Sequence, residues 1–170
     1  GSSNVKLMKY EWIGEKSKAT GQLNASRAPL KQTENILVFY KKLPTYNPQG
    51  ILKKIIPSVR IGRDNGTNYG NSNVDSLQQF ENYPKNILRF ESENNGFHPT
   101  QKPVALFEYL IKTYTNKGEI VLDNCMGSGT TAVACLNTDR NFIGFETNKE
   151  YYQKSMQRIE NNVTQLGFDI

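Results

Sequence analysis

An α/β fold is predicted for this chain on three observations. The apolar run Val121-Leu122-Asp123 ends in a glycine-rich turn, Gly127-Ser128-Gly129, with helix formers after it. A second apolar run, Ile143-Gly144-Phe145, follows one helix later and ends on an acid, Glu146. Stretches with apolar residues at helical spacing, residues 103–115 and 149–166, lie on either side of that unit. A strand that feeds a helix and returns as a strand is the repeating unit of parallel sheets.

The elements follow in order. Residues 6–15 alternate loosely around Tyr10 and Trp12 and read as a strand. Residues 16–33 are polar and broken by Gly21 and Pro29, so they read as a loop. Residues 35–40 (NILVFY) form a short, nearly continuous apolar run, expected of a buried strand in the same sheet as the first. Residues 44–97 are rich in Asn, Gly, Pro and Ser, with a short apolar piece at residues 51–56 and scattered Tyr46, Tyr69, Phe80 and Tyr83. They read as an insertion, which either serves a function or packs on its own few aromatics. Residues 103–115 predict a helix, with Pro103 in its first turn and Val104, Leu106, Phe107, Leu110 and Ile111 on one face. Residues 119–123 predict a buried strand, residues 127–136 a helix opening from the glycine turn, and residues 141–146 a second strand. A final helix over residues 149–166 carries Tyr152, Met156, Ile159 and Val163 on its apolar face.

Composition narrows the class. A chain of 170 residues suits one domain with a real core, and 36% hydrophobic with 22% charged residues is a soluble, globular balance. No run approaches the roughly 18 apolar residues of a membrane span, and no signal segment opens the chain, so no membrane partner is expected. Gly1-Ser2 reads as a cloning remnant. Cys125 and Cys135 form no CxxC pair and His98 is the only histidine, so no metal site is expected. Cysteines placed in a loop and on the following helix do not suit a disulfide scaffold, and a cytoplasmic protein fits best.

The net charge of +5 is unevenly spread. Lys41, Lys42, Lys53, Lys54, Arg60 and Arg63 fall in residues 41–63 without one acid. Clustered cations interleaved with aromatics suit a polyanion such as nucleic acid, through phosphate contacts and counterion release. A solvated basic loop is the other reading.

The glycine turn is the sharpest signal. Glycines let a ligand approach the backbone, and the helix behind them presents free N–H groups. An acid ending the second strand can accept hydrogen bonds from ribose hydroxyls, the role open to Glu146. Gly127-x-Gly129-x-x-Ala132 formally matches a dinucleotide fingerprint. Asp123 speaks against a pyrophosphate, which it would repel, and for the cationic amino group of a methionine moiety. No lysine follows the glycines, so the phosphate loop of ATPases does not fit. Upstream, residues 98–103 (HPTQKP) fix the backbone with two prolines and place Thr100, Gln101 and Lys102 as donors near the same pocket.

HPTQKP, followed by LDNCMGSGTT at residues 122–131 and FIGFE at residues 142–146, resembles the motifs of the prokaryotic DNA amino-methyltransferases. These are site-specific enzymes, of restriction-modification or phage-like type, that act on adenine N6 or cytosine N4. The resemblance extends to Tyr10-Glu11-Trp12, Asn24-Ala25, Pro29 and Glu34 before Ile36-Leu37-Val38-Phe39, and covers residues 5–48 and 97–160. It implies a Rossmann-like, S-adenosylmethionine-dependent methyltransferase fold. Asp123 with Cys125, Met126, Gly127, Ser128, Gly129, Thr130 and Thr131 would then hold the methionine end of S-adenosylmethionine. Glu146 would hold its ribose, and Thr100, Gln101 and Lys102 would approach from the other side. Residues 1–43 become strands of the catalytic domain, 44–97 the target-recognition insertion, and 98–170 the cofactor-binding part. Lys53, Lys54, Arg60 and Arg63 would contact double-stranded DNA. Where the family often has Asp-Pro-Phe, this chain has Asp123-Asn124-Cys125.

The family's catalytic run, Asp/Asn/Ser-Pro-Pro-aromatic, is absent from the 170 residues; Asn47-Pro48-Gln49 and Tyr83-Pro84-Lys85 come nearest. In the family's motif order it belongs upstream of residue 1. The family sheet has seven strands and about four are placed here, so central strands are missing. No residue of this chain is therefore assigned to catalysis. The chain is expected to be a partial methyltransferase, completed by an N-terminal fragment or a homodimer partner. Adenine N6 is the expected target because that activity is the commoner one. The alternatives are cytosine N4, an inactive DNA-binding or assembly module of the same fold, and a dinucleotide-dependent oxidoreductase.

Overall fold

The computed structural model describes residues 2–62, 75–91 and 101–165. They divide into two compact units, residues 48–85 and the remainder of the chain. A 3₁₀ turn over Ser2–Leu7 leads into β1 (Met8–Thr20), which pairs antiparallel with β2 (Lys31–Phe39). Both strands run further than the sequence predicts. Lys16 to Thr20 and Lys31 to Thr33, expected as loop, extend the hairpin, because backbone pairing offsets their weak apolar patterning. The register sets Tyr10 opposite Val38 and Trp12 opposite Ile36, which puts these four side chains on one face.

The other unit, residues 48–85, is an antiparallel pair. Its strand β3 (Leu52–Arg60) pairs with β4 (Ser76–Glu81). The register shifts between Lys53 and Ser58, where Pro57 has no N–H to give to a ladder. Strand β5 (Ile87–Phe90), which the sequence leaves in an irregular stretch, returns to the first unit and pairs parallel with β1. Only four residues long, it is too short to carry a periodic signature.

Helix α1 (Val104–Tyr114) joins two cores. Its Leu106 packs with Trp12 and Leu88, while its Ile111 packs with Ala134 and Cys135; Phe107 touches both groups. Trp12 is 3% exposed and donates Nε1–H to the Tyr114 hydroxyl at 2.6 Å. The Tyr10 hydroxyl lies 2.8 Å from the same oxygen. The last carbonyls of α1 are met from outside the helix: Asn47 Nδ2 reaches the oxygens of Lys112 and Thr115, and Arg140 Nη2 reaches that of Thr115 at 2.8 Å.

Strands β6 (Ile120–Asp123) and β7 (Asn141–Gly144) are parallel neighbours, joined through α2 (Thr130–Asn137). Residues Thr130 to Cys135 of α2 are all buried. One face of this sheet, Val121 and Phe142, packs on the second core. Ile120, Leu122 and Ile143 of the other face are exposed, and among the described residues β6 pairs with β7 alone. The expectation of a buried strand at 119–123 thus holds for one face only, and the second strand, expected at 141–146, is likewise covered on one face. Parallel strands are apolar on both faces because both are normally covered. Strand β2 behaves likewise: its exposure alternates, and Leu37 and Phe39 face outward.

Helix α3 (Lys149–Gln165) starts on Asn148, whose side chain accepts the N–H groups of Glu150 and Tyr151. Its buried residues are Ser155 and Ile159. Tyr152 and Met156, predicted on the apolar face, are exposed. The small Ser155 faces inward because α3 runs hard against Gly129, where an added Cβ would lie 3.1 Å from Ser155 Cβ. No helix among the described residues is long and apolar enough to cross a membrane.

Replacing Tyr114 with Phe removes the acceptor of the buried Trp12 indole. A loss of about 1–3 kcal/mol is expected in denaturant unfolding. Unchanged stability would mean that the three ring groups do not depend on one another.

Candidate cofactor site

The loop between β6 and α2 is closed by its own chain. Asp123 ends β6, and its Oδ2 accepts the Thr131 hydroxyl at 2.5 Å while its Oδ1 accepts the Cys125 N–H at 3.1 Å. Glu146 stands just past β7. Its two carboxylate oxygens accept the N–H of Gly127 at 3.0 Å and of Asn148 at 2.8 Å. The Phe145 carbonyl accepts the Met126 N–H, so β7 carries the loop alongside β6.

Two glycines make this path possible. Gly127 (φ +51°) and Gly129 (φ +74°) occupy the left-handed region that side chains disfavour. A Cβ on Gly127 would meet nothing within 4 Å, so the backbone is open there to a ligand. Met126 is buried beneath the loop and closes on Gly144, where any side chain would collide with its sulfur.

Beside the loop is a recess of about 200 Å³, lined by Gln101, Lys102, Phe107, Asp123, Cys125, Met126, Gly127, Ser128, Thr130 and Thr131. A larger cleft of about 480 Å³ shares Phe107, Asp123, Cys125 and Thr131 with it and continues along α1 past Leu110, Ile111 and Tyr114. Of the twelve residues that the sequence assigns to a cofactor, nine line the smaller recess, Gly129 is the turn that shapes it, and Glu146 binds the loop from β7. Thr100 lies outside the described residues, as do His98 and Pro99.

Lys102 has a second engagement. Its ammonium sits 2.6 Å from Glu34 Oε2 and its carbonyl accepts the Thr130 hydroxyl at 3.4 Å. The side chain therefore ties β2 to the start of α1, and the backbone faces the loop. Cys125 is exposed, whereas burial pushes the Cys135 thiol up to about 11 and keeps it protonated. Of the cations assigned to DNA, Lys53, Lys54 and Arg60 stand on β3, in residues 48–85. Lys53 and Arg60 are exposed, and Lys54 Nζ donates to Ser58 Oγ at 2.6 Å. Arg63 lies outside the described residues.

Sequence reading missed Arg158 and Asn148. Arg158 Nη1 lies 3.1 Å from both the Ser128 carbonyl and the Thr130 hydroxyl. Residue 158 is three positions after Ser155 and so shares its face, a signal hidden when only apolar periodicity is followed. Asn148, after the acid Glu146, is an ordinary N-cap signature.

The site offers acceptors that suit a nucleoside carrying an amino acid. A carboxylate at the end of each strand suits an ammonium and a pair of ribose hydroxyls, and the glycine turn leaves room for close approach.

Comparison with known proteins matches residues 6–157 to the DNA methylase family of N6/N4 methyltransferases. The Type II methyltransferase M.HpaI of Haemophilus parainfluenzae is 40% identical over 91 residues, which are 51% of this chain and 28% of that protein. The DNA adenine methyltransferase YhdJ of Escherichia coli (strain K12) is 30% identical over 132 residues, 75% of this chain and 44% of that protein. The crystal structure of the M1.HpyAVI–SAM complex superposes with a TM-score of 0.58 at 30% identity, covering 89% of this chain and 62% of that one. The α/β fold is thus of the Rossmann-like methyltransferase kind. The chain spans under half the length of these two curated relatives.

The Lys102 ammonium holds the Glu34 carboxyl below the usual glutamate range. Both side chains are more than a third exposed, so the pair is worth at most ~1 kcal/mol. Because the folded-state value is the lower one, this stability is present above the ordinary glutamate pKa and is lost as pH falls through the depressed value. Glu34→Gln should therefore flatten the fall in melting temperature below about pH 4.5. Parent and variant melting in parallel across that window would remove the pair from the account.

Proposed function

This chain belongs to the DNA methylase family of N6/N4 methyltransferases, and we propose that it forms the cofactor-binding part of a site-specific DNA methyltransferase. The cofactor is S-adenosylmethionine, and the target is adenine N6 in double-stranded DNA. The observation that carries the reading is the glycine loop with Asp123 and Glu146 at its two strand ends. When bound, S-adenosylmethionine supplies an electrophilic methyl group.

This chain's residues then act by binding and orienting. Asp123 pairs with the ammonium of the methionine end, and the loop from Cys125 to Thr131 lies against it. Glu146, whose carboxylate also takes the N–H groups of Gly127 and Asn148, accepts the ribose hydroxyls. Gln101 and Lys102 line the recess just before α1, and Thr100 is proposed to contact the cofactor with them. The resemblance to YhdJ over three quarters of the chain supports adenine over cytosine N4.

Lys53, Lys54, Arg60 and Arg63 are proposed to contact the DNA backbone. The groups that hold the target amine are proposed to come from a complementing segment outside residues 1–170, since a second copy of this sequence would lack the same run. Two features support that: no catalytic run occurs in the sequence, and β6, which among the described residues pairs with β7 alone, lines a cleft with apolar Leu110, Ile111, Val121 and Leu122. No helix among the described residues is long and apolar enough to cross a membrane, and a cytoplasmic site suits a DNA substrate. The missing run also favours a second reading, a DNA-binding or assembly module that has lost catalysis.

Calorimetric titration tests the cofactor. The chain is expected to bind S-adenosylmethionine weakly, and Asp123→Asn to lower the affinity by about tenfold or more, as for loss of a charged hydrogen-bond partner. No heat at millimolar ligand would favour the non-catalytic module. With labelled cofactor, the chain alone should not methylate duplex DNA; robust turnover would overturn the partial-enzyme reading. For DNA, replacing Lys53 and Arg60 by Gln should reduce the slope of log affinity against log salt by about one for each phosphate no longer neutralised. An unchanged slope would take these residues off the DNA.

A further inference from the structure

Helix α3 contributes no residue to the lining of the recess, yet it holds the loop at three points. Arg158 Nη1 lies 3.1 Å from the Ser128 carbonyl, 3.4 Å from the Ser128 hydroxyl and 3.1 Å from the Thr130 hydroxyl. Beside it, Gly129 meets Ser155 so closely that an added Cβ would lie 3.1 Å from the serine Cβ. The Ser155 hydroxyl is turned back into its own helix, onto the Tyr152 carbonyl, so this contact is pure packing.

Ser128 and Thr130 are each only 6% exposed. Water does not readily replace a guanidinium there, and a buried carbonyl left without a donor is costly. At the same end of the loop a second lock holds, where the Thr131 hydroxyl binds Asp123. Thr130 and Thr131 are adjacent, so a displacement of Thr130 is passed directly to the carboxylate that would face the ligand.

From these contacts we infer that Arg158 is a positioning residue: acting through Ser128 and Thr130, it keeps the glycine loop in its ligand-ready shape and so sets the affinity for the cofactor. The affinity part rests on the S-adenosylmethionine reading of the loop; the clamp itself does not. Binding to a loop already held in place avoids the cost of ordering it, which is how a residue remote from the ligand changes affinity.

The test compares the full chain with R158Q and R158K. Amide hydrogen exchange without ligand reads the clamp, and calorimetry with S-adenosylmethionine reads the affinity. In R158Q, exchange at Gly129 and Val133, whose N–H groups bond to the carbonyls of Met126 and Gly129, should rise about tenfold. Amides of the β1–β2 hairpin should keep their parental rates. Affinity should fall about tenfold, and R158K, which keeps the charge on a shorter reach, should recover part of both. Should R158Q unfold, Thr130→Val removes one acceptor of the guanidinium and should raise exchange at the same two amides. Parental exchange at Gly129 and Val133 in the folded variants would overturn the inference. If the parent chain binds no S-adenosylmethionine, the cofactor reading fails and the exchange data still decide the clamp.

Discussion

The carboxylate of Asp123 joins the two ends of the glycine loop. One oxygen takes the Cys125 N–H at the loop's start and the other takes the Thr131 hydroxyl in the first turn of α2. The two bonds tie the end of β6 to the first turn of α2, whose N-cap, Gly129, has no side chain of its own to fix the turn. Here the same carboxylate that would meet a cation also shapes the turn. Glu146 repeats the device from β7, bonding to Gly127 and to the N–H of Asn148. The site is therefore built before any ligand arrives, which lowers the cost of binding.

The rest of the unit keeps those strand ends in place. Phe107 belongs to both cores, so α1 holds the β1–β2–β5 sheet and the β6–β7 pair on one frame. Arg140 and Asn47 close the end of that helix with hydrogen bonds to its last carbonyls. At the start of the helix, Lys102 links Glu34 to the carbonyl–Thr130 contact. Both ends of α1 are thus fixed by side chains from other elements, and the glycine loop lies beside the fixed start.

How much of this was legible in the sequence varies by element. The strand–loop–helix–strand unit was readable in full, because glycine, acid and apolar run each have a local physical cause. The helix over residues 103–115 was readable for the same reason. Strand β5 was not: its four residues are identified only by pairing with β1, a partner distant in sequence. The inner face of α3 was read only in part: Ile159 is buried as expected, but apolar periodicity also points to Tyr152 and Met156, whereas packing against Gly129 demands the small Ser155. Arg158 was invisible for a related reason. A charged residue on a helix reads as solvated until the structure shows buried acceptors beside it. Lys102 shows the reverse case: it was placed at the ligand from its motif, and its ammonium rests on Glu34.

The loop between β6 and α2, with Asp123 and Glu146, is the proposed cofactor site. Titrating S-adenosylmethionine into the isotope-labelled chain and following its amide resonances tests this most directly. The account predicts saturable shifts at Gln101, at Asp123 through Thr131 and at Glu146, with the β3–β4 hairpin undisturbed. No saturable change, or change confined to the hairpin, would contradict it.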